Sequence, residues 1–262
     1  MNITVLGSCS GTEPMPGRHH VSFAVEHNGG TYWFDAGESC SHNAHVGGID
    51  LLATRAIFIS HVHMDHIGGL PNLLRNLRKL ESRAGEAAPL KGKTIHVRIP
   101  DMRCWQAVHD LLRASMNGYN VDFSLDVRPT QDGVCYEGEG LRVAALHNRH
   151  LGDPAPGEPW RSFSYRIEAD GKSLVYSGDV RHVSDFDPLL DGGCDLLFME
   201  TGHHKPTEVC AWLKEQGKEF GRLVFIHHGR AILADSQGEL AAAKDILGDR
   251  VGLAEDGMKL GL

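Results

Sequence analysis

The stretch FISHVHMDHIGGL, residues 58–70, sets His61, His63, Asp65 and His66 within six positions directly behind an apolar run. RAIFISH reads as a buried strand from its apolar, β-branched content. A strand ending at Ser60 delivers His61 into the loop at its C-terminal edge, where ligand sites gather in α/β proteins. In a loop, residues two apart can converge on one ion, so His61 and His63 would share one cation while Asp65 and His66 turn toward a second. Gly68-Gly69 then lets the backbone leave tightly and begin a helix. Imidazole and carboxylate without thiolate suit a catalytic zinc that keeps an open coordination position, with manganese and iron(II) also admissible. The bland alternative is a set of solvated loop histidines. Four ligand-type residues in so short a span argue against it.

The rest of the chain fits an ordinary globular protein. Of 262 residues, 41% are hydrophobic and 23% charged, enough for one large core or two modest ones. No window approaches the ~18 apolar residues of a membrane span. MNITVLGSCSG has neither the basic nor the apolar region of a secretory signal, so the expected compartment is the cytoplasm, with no membrane partner. Six cysteines are scattered without a CxxC pair, which argues against a disulfide framework and against a thiolate zinc site. A net charge of −8 and a pI near 6.1 disfavour a protein that coats nucleic acid through bulk charge. The compositional oddity is 17 histidines, several in tight pairs.

Strand and helix patterns alternate along both halves. NITVLG is a strand, followed by a Gly/Pro/Ser loop, GSCSGTEPMPGR. VSFAVEHNGGTYWFDAG is a hairpin turning at Asn28-Gly29-Gly30. PNLLRNLRKLESRA has leucines at helical spacing with Pro71 near the first position. KTIHVRIP is a strand, and DMRCWQAVHDLLRAS an amphipathic helix with Asp101 as its N-cap. In the second half LRVAALHNRH, SFSYRIEADGKSLVYSGD, CDLLFMETG and RLVFIHHG read as strands, the second as a hairpin through Asp170-Gly171. PTEVCAWLKEQGK and QGELAAAKDIL read as helices. Short connections and the absence of a linker predict an α/β layered domain over residues 1–262. Each half opens on hairpin strands and moves to β/α units, which suggests an internal pseudo-repeat.

The later strands also end in ligand-type residues: His147 and His150 after LRVAAL, Asp179 after SLVYSG, and His227 and His228 after LVFI. Each follows an apolar strand, so a sheet would present it at the same edge. An aspartate can bridge two cations with its two oxygens, and Asp179 sits just past a glycine turn.

HVHMDH resembles the HxHxDH signature of the metallo-β-lactamase fold superfamily, and the later His, the SGD Asp and the strand-end His follow in that superfamily's order. LGSCSGTEPMPGR followed by FDAGES is similar to the opening of its ribonuclease Z-like branch. CDLLFMETGHH and LAEDGMKL resemble that branch's glutamate-ending strand and its last strand. The resemblance spans nearly the whole chain. It implies a four-layer αββα sandwich of two mixed β-sheets flanked by helices. It also implies two divalent metal ions, zinc first among them: His61, His63 and His150 on one, Asp65, His66 and His227 on the other, and Asp179 bridging. His147 stays open as an alternative to His150, and His228 to His227.

Two such cations about 3.5–4 Å apart hold a hydroxide at neutral pH and polarise the bond it attacks. Asp65 would also accept the nucleophile's proton. Asp35 and Ser60 are candidates for fixing the imidazole tautomers, although Asp35 equally suits a turn before Gly37. Glu200 and His203 match the branch's pair near the scissile phosphate, with His204 the competing choice. Arg149, Arg161, Arg181 and Arg230 lie in the same loops and could clamp a phosphate. Only residues 151–178 separate His150 from Asp179, a Pro-rich loop ending at Trp160 plus a hairpin, so the protruding arm of tRNA-processing relatives is missing. The expected substrate is a phosphodiester in a small nucleotide or short nucleic acid. Ester, lactone or thioester cleavage and metal binding without turnover are the alternatives. The cations of PNLLRNLRKLESRA suit a solvated helix or a dimer flank better than a nucleic-acid face, and homodimerisation is common among such relatives.

Overall fold

The computed structural model describes residues 1–11 and 15–262. The middle of the GSCSGTEPMPGR loop, residues 12–14, lies outside the described residues. Among the described residues fourteen strands form two seven-stranded sheets. The first holds β1 (Asn2–Gly7), β2 (Ser22–His27), β3 (Gly30–Phe34), β4 (Thr54–Phe58), β5 (Thr94–Ile99) and β6 (Ser124–Pro129), in the order β14-β1-β2-β3-β4-β5-β6, where β14 is Lys259–Gly261. The second holds β7 (Gly133–Gly138), β8 (Leu141–His147), β9 (Phe163–Ala169), β10 (Lys172–Tyr176), β11 (Cys194–Thr201), β12 (Phe220–His228) and β13 (Val251–Leu253), in the reverse order β13 to β7.

Each sheet begins antiparallel and ends parallel. Strands β1 to β3 and β7 to β10 pair antiparallel, whereas β3 to β6 and β10 to β13 pair parallel. The parallel crossovers carry α1 (Cys40–Val46), α2 (Met64–Ile67), α3 (Leu70–Ala84) and α4 (Met102–Ser115) in the first half. Those of the second half carry α5 (Pro206–Glu215), α6 (Arg230–Ala234) and α7 (Ser236–Leu247). This is the pseudo-repeat expected from the alternation of elements.

Strand alternation sorts the core into three layers. Inward residues such as Phe23, Phe34, Phe58, Tyr165, Tyr176 and Phe198 are fully buried between the sheets. Their out-of-phase neighbours Trp33 and Ile57 pack under the helices of the first sheet with Leu73 and Leu77 of α3. A third cluster lies under α5 and α7. Two mixed sheets with helices on both outer faces give four layers, the αββα sandwich. The rings of Phe23 and Tyr176 meet across the interface at 5.1 Å and 88°, an edge-to-face geometry favoured by the aromatic quadrupole.

Local chemistry accounts for most boundaries. Asn28 and Gly29 take φ of 47° and 72°, the two left-handed residues of a tight hairpin turn. Asp101 caps α4 by accepting from Arg103 N at 2.8 Å. The expected strand ending at Ser60 ends two residues sooner, at Phe58, although Ile59 N still donates to Arg98 O of β5 at 2.8 Å. LAEDGMKL is not one strand: Leu253 ends β13 in the second sheet and Lys259 opens β14 in the first. Gly257, at φ 85°, turns the chain between them.

Candidate metal centre

The C-terminal ends of β4, β8, β10, β11 and β12 meet at one edge of the sandwich. Gly69 is required there, because a Cβ on it would lie 2.1 Å from Gly37 O. That close approach brings the start of α3 against the residues after Asp35. Gly178 is required for a second reason: it takes φ 56° and a Cβ would lie 2.7 Å from Phe163 O. The turn it makes aims Asp179 between the sheets.

Donor atoms of His61, His63 and His150 lie within 4.8 Å of one another, and so do those of Asp65, His66 and His227. Asp179 faces both sets. Its Oδ2 is 3.8 Å from His61 Nε2 and 3.7 Å from His150 Nε2. Its Oδ1 is 3.4 Å from His66 Nε2 and 3.3 Å from His227 Nδ1. Asp65 Oδ2 is 3.1 Å from His227 Nε2 and 3.6 Å from His66 Nε2. The seven side chains that the resemblance implies are thus all brought together.

His66 is oriented from behind. Its Nδ1 lies 2.8 Å from Asp35 Oδ2, which also accepts from Ser60 Oγ and Tyr176 OH at 2.8 Å each. Asp35 Oδ1 accepts from Ser60 N at 2.7 Å. A carboxylate surrounded by donors leaves Nδ1 of His66 as a donor too, which frees Nε2 for the cluster. Asp35 is wholly buried with φ 56°, so it is an interior acceptor as well as a turn residue. Tyr176 was not singled out in the sequence. Its signal was its position in phase with Leu174 on the inward face of β10.

The paired histidines separate cleanly. His147 lies apart, its Nδ1 2.6 Å from Asp132 Oδ2 and its ring stacked on Trp160 at 4.0 Å. His228 turns away, with Nε2 donating to Ala254 O at 2.8 Å and Nδ1 3.2 Å from Thr201 Oγ1. The cause is a break in register. Glu200 pairs with Ile226 but Thr201 pairs with His228, so His227 is the extra residue of a bulge, at φ 55°. A bulge re-aims one side chain out of the alternation. Left-handed backbone outside glycine costs about 1–3 kcal/mol and clusters at functional sites.

Glu200 and His203 also meet, with His203 Nδ1 3.0 Å from Glu200 Oε1 and 3.8 Å from Asp179 Oδ2. His204 instead donates Nε2 to Val180 O at 3.0 Å. An open cleft of about 720 Å³ lies over the cluster, lined by His63, Asp65, His203, His204, Lys205 and Arg230. Of the four loop arginines only Arg230 reaches it. Arg149 pairs with Asp153 at 3.0 Å, and Arg161 bonds Leu151 O at 3.5 Å. Ser10 and Gly11 line the cleft as well; they belong to the GSCSGTEPMPGR loop, to which the sequence reading gave no site role, and Lys205 carries no periodic or spacing signal.

The electrostatics are those of a cation site. Burial, then the neighbouring imidazoles, holds His61 well below the usual histidine range, and burial pushes His150 down to about 4. For His66 and His227 burial acts the same way, but carboxylates outweigh it. Asp179 and Asp35 hold His66 well above its ordinary value, and Asp179 with Asp65 pushes His227 up to about 9. Burial disfavours charge on Asp179, yet His227 and His66 keep its carboxyl below the usual range. Among the described residues, His61 Nε2, Asp179 Oδ1 and His227 Nδ1 are buried polar atoms with no hydrogen-bond partner. Such orphans are rare and call for an explanation. Three of them converging among seven N and O donors fit divalent cations, which imidazole and carboxylate favour.

A profile of the family described as "Beta-lactamase superfamily domain" matches residues 33–246. The Ribonuclease Z of Mycolicibacterium paratuberculosis is 24% identical over 285 aligned residues, covering 98% of this chain and 96% of that one. The Ribonuclease Z of Methanothermobacter thermautotrophicus is 29% identical over 152 residues, 57% of this chain but only 45% of that protein. Among solved structures, the metallo-beta-lactamase fold protein YhfI from Bacillus subtilis superposes with a TM-score of 0.75 at 19% identity, over 99% of this chain and 98% of that one. The short form of human tRNase Z superposes with a TM-score of 0.70 at 19% identity, over 100% and 99%. At that identity the superpositions speak for the fold. The chain belongs to the beta-lactamase superfamily, as a ribonuclease Z-like, metal-dependent hydrolase. Among the described residues no helix is long and apolar enough to cross a membrane.

Proposed function

We propose that the protein is a dinuclear metal-dependent phosphodiesterase acting on a small nucleotide or short nucleic acid in the cytoplasm. The observation that carries this reading is Asp179, whose two oxygens face two separate sets of donors. His61, His63 and His150 would hold one cation and Asp65, His66 and His227 the other, with Asp179 shared. Zinc suits the donors best, and manganese and iron(II) remain compatible. When bound, such a pair lowers the pKa of water and polarises the bond to be broken.

The chain's own groups supply the rest. Burial disfavours ionisation of Asp65, but the His227 hydrogen bond and the His66 charge keep its carboxyl well below the usual range. It therefore stays ionised in the cleft, placed to orient a water and take its proton. His203 carries the complementary role. The Glu200 carboxylate beside it raises its pKa, and its side chain is 44% exposed. An imidazolium so held can give a proton to a departing alkoxide. Lys205 and Arg230, both lining the cleft, attract the phosphate. The relatives named Ribonuclease Z support a phosphodiester substrate. The short loop and hairpin over residues 151–178 favour a smaller one than tRNA.

The test is turnover of bis-p-nitrophenyl phosphate by protein loaded with zinc or manganese. Expected is activity that Asp65→Ala and His203→Ala each lower by about 10²–10⁴-fold. Turnover of esters or lactones without phosphodiester cleavage would transfer the site to carbonyl chemistry. Stoichiometric metal with neither activity would make it a binding protein.

A further inference from the structure

A second concavity, of about 360 Å³, lies on the outer helical layer between α1 and α3. Its rim carries His42 and His45 of α1 and Arg75, Lys79 and Arg83 of α3, over a floor that includes Leu80. All five titratable side chains are in exposed positions. Of the four cations of α3, these three stand at i, i+4 and i+8, so they form one stripe with about 6 Å between neighbours along the axis. Like charges at that spacing destabilise a helix. Among the described residues none of the three pairs with a carboxylate, and Arg75 donates to the neutral Asn76 Oδ1 at 3.3 Å. The lone acid of α3, Glu81, is turned inward and 4% exposed.

The groove is tied to the metal edge. A Cβ on Gly69 would lie 2.9 Å from Cys40 Sγ, so α1 and α3 start side by side just past the Asp35 and His66 loops. Asn76 Nδ2 donates to Ser41 Oγ at 3.0 Å, closing the near end of the groove. From Leu70 the axial rise to Arg75 is about 8 Å and to Arg83 about 20 Å. In a chain of net charge −8, nucleic acid is repelled in bulk, and a local basic track is the form an attractive contact must take.

We infer that the α1–α3 groove is a phosphate-backbone site for the part of a nucleic-acid strand lying several nucleotides from the bond that is cut. Arg75, Lys79 and Arg83 each neutralise one phosphate, and His42 and His45 border the strand on its other side. The inference rests on the phosphodiesterase reading and narrows its substrate to an oligonucleotide.

The test uses a fluorescein-labelled single-stranded RNA, followed by anisotropy against salt in the Asp65→Asn background, which keeps the strand intact. Replacing Arg75, Lys79 and Arg83 together by Gln should weaken binding about tenfold or more at low salt and reduce the log–log salt slope by about 2. The same three substitutions in the otherwise native protein should leave bis-p-nitrophenyl phosphate turnover unchanged, and Arg75→Lys with Arg83→Lys should retain binding. Unchanged RNA affinity and slope would overturn the inference. So would equal, equally substitution-sensitive binding of polyglutamate, which would point to an acidic protein, or a dimer that the substitutions split, which would assign the face to a second copy. If the native protein does not cleave the phosphodiester yet the substitutions weaken RNA binding, the enzymatic reading falls and the groove stands.

Discussion

Asp35 Oδ2 lies 2.8 Å from His66 Nδ1, and both side chains are fully buried. The ring so anchored is the one whose other nitrogen faces Asp65, Asp179 and His227 together.

Asp35→Asn tests that anchor. Asparagine tolerates the left-handed backbone, so the loop should persist. Its amide, however, must turn a donor toward Ser60, Tyr176 or His66, all of which already donate. The expected outcome is metal affinity about 10–100-fold weaker, measured by competition with a chromophoric chelator. Unaltered affinity would mean that packing alone holds the ring.

Metal uptake should release protons. In chelator-stripped protein His66 is held well above its ordinary range and His227 at about 9, so both carry a proton at neutral pH that a cation must displace. Calorimetry in buffers of different ionisation heat should return roughly two protons per chain, with affinity climbing until about pH 9. Stability of the stripped protein runs the other way. The raised pKa of His227 contributes fully below 6.5 and is lost as pH rises through about 9, so its melting temperature should fall across that window. Uptake without proton release would refute the assignment.

The neighbouring histidines predict a contrast. His150→Ala should lose metal after desalting, by elemental analysis, while His147→Ala should retain it. His228→Ala removes the shorter of the two hydrogen bonds to Ala254 O, leaving that from Arg18 Nη1 at 3.3 Å, and should lower stability by about 0.5–1.5 kcal/mol with metal content preserved. Equal metal loss in His147→Ala and His150→Ala would contradict the geometry.

Phe34 measures the sandwich core. It is fully buried and stacks on Phe23 at 5.0 Å and Phe58 at 4.9 Å, with Tyr165 edge-on at 5.9 Å. Phe34→Ala should cost about 3–5 kcal/mol in urea unfolding. Leu111→Ala, at a position 55% exposed on α4, should stay within about 0.5 kcal/mol.

The central elements were legible because their periodicity reports burial. Leu73, Leu74, Leu77 and Leu80 mark α3, and TRAIF marks β4, since each faces a layer that must exclude water. The sheet ends were not legible. SLDVRP and GVCYEG form β6 and β7 with mostly half-buried or exposed residues, and an edge strand with one neighbour needs little apolar alternation. Helix α1, CSHNAHV, is too short and polar to announce itself. The same blindness hid the groove it forms with α3, because a cation stripe on one helix reads as a solvated face until the facing helix is known.

By itself the sequence determined the donor chemistry and its order: a HxHxDH cluster behind one strand, then a histidine, an aspartate and a histidine behind three others, because strand ends must deliver whatever follows them to one edge. Only the tertiary structure decided which side chain of each tight pair turns inward. His227 enters the cluster and His228 leaves it because a single bulged residue at φ 55° breaks the register of β12 against β11. Asp179 spans both donor sets because Gly178 turns it between two sheets that no local pattern relates. Such geometry depends on contacts between residues far apart in the chain, which a one-dimensional pattern does not contain.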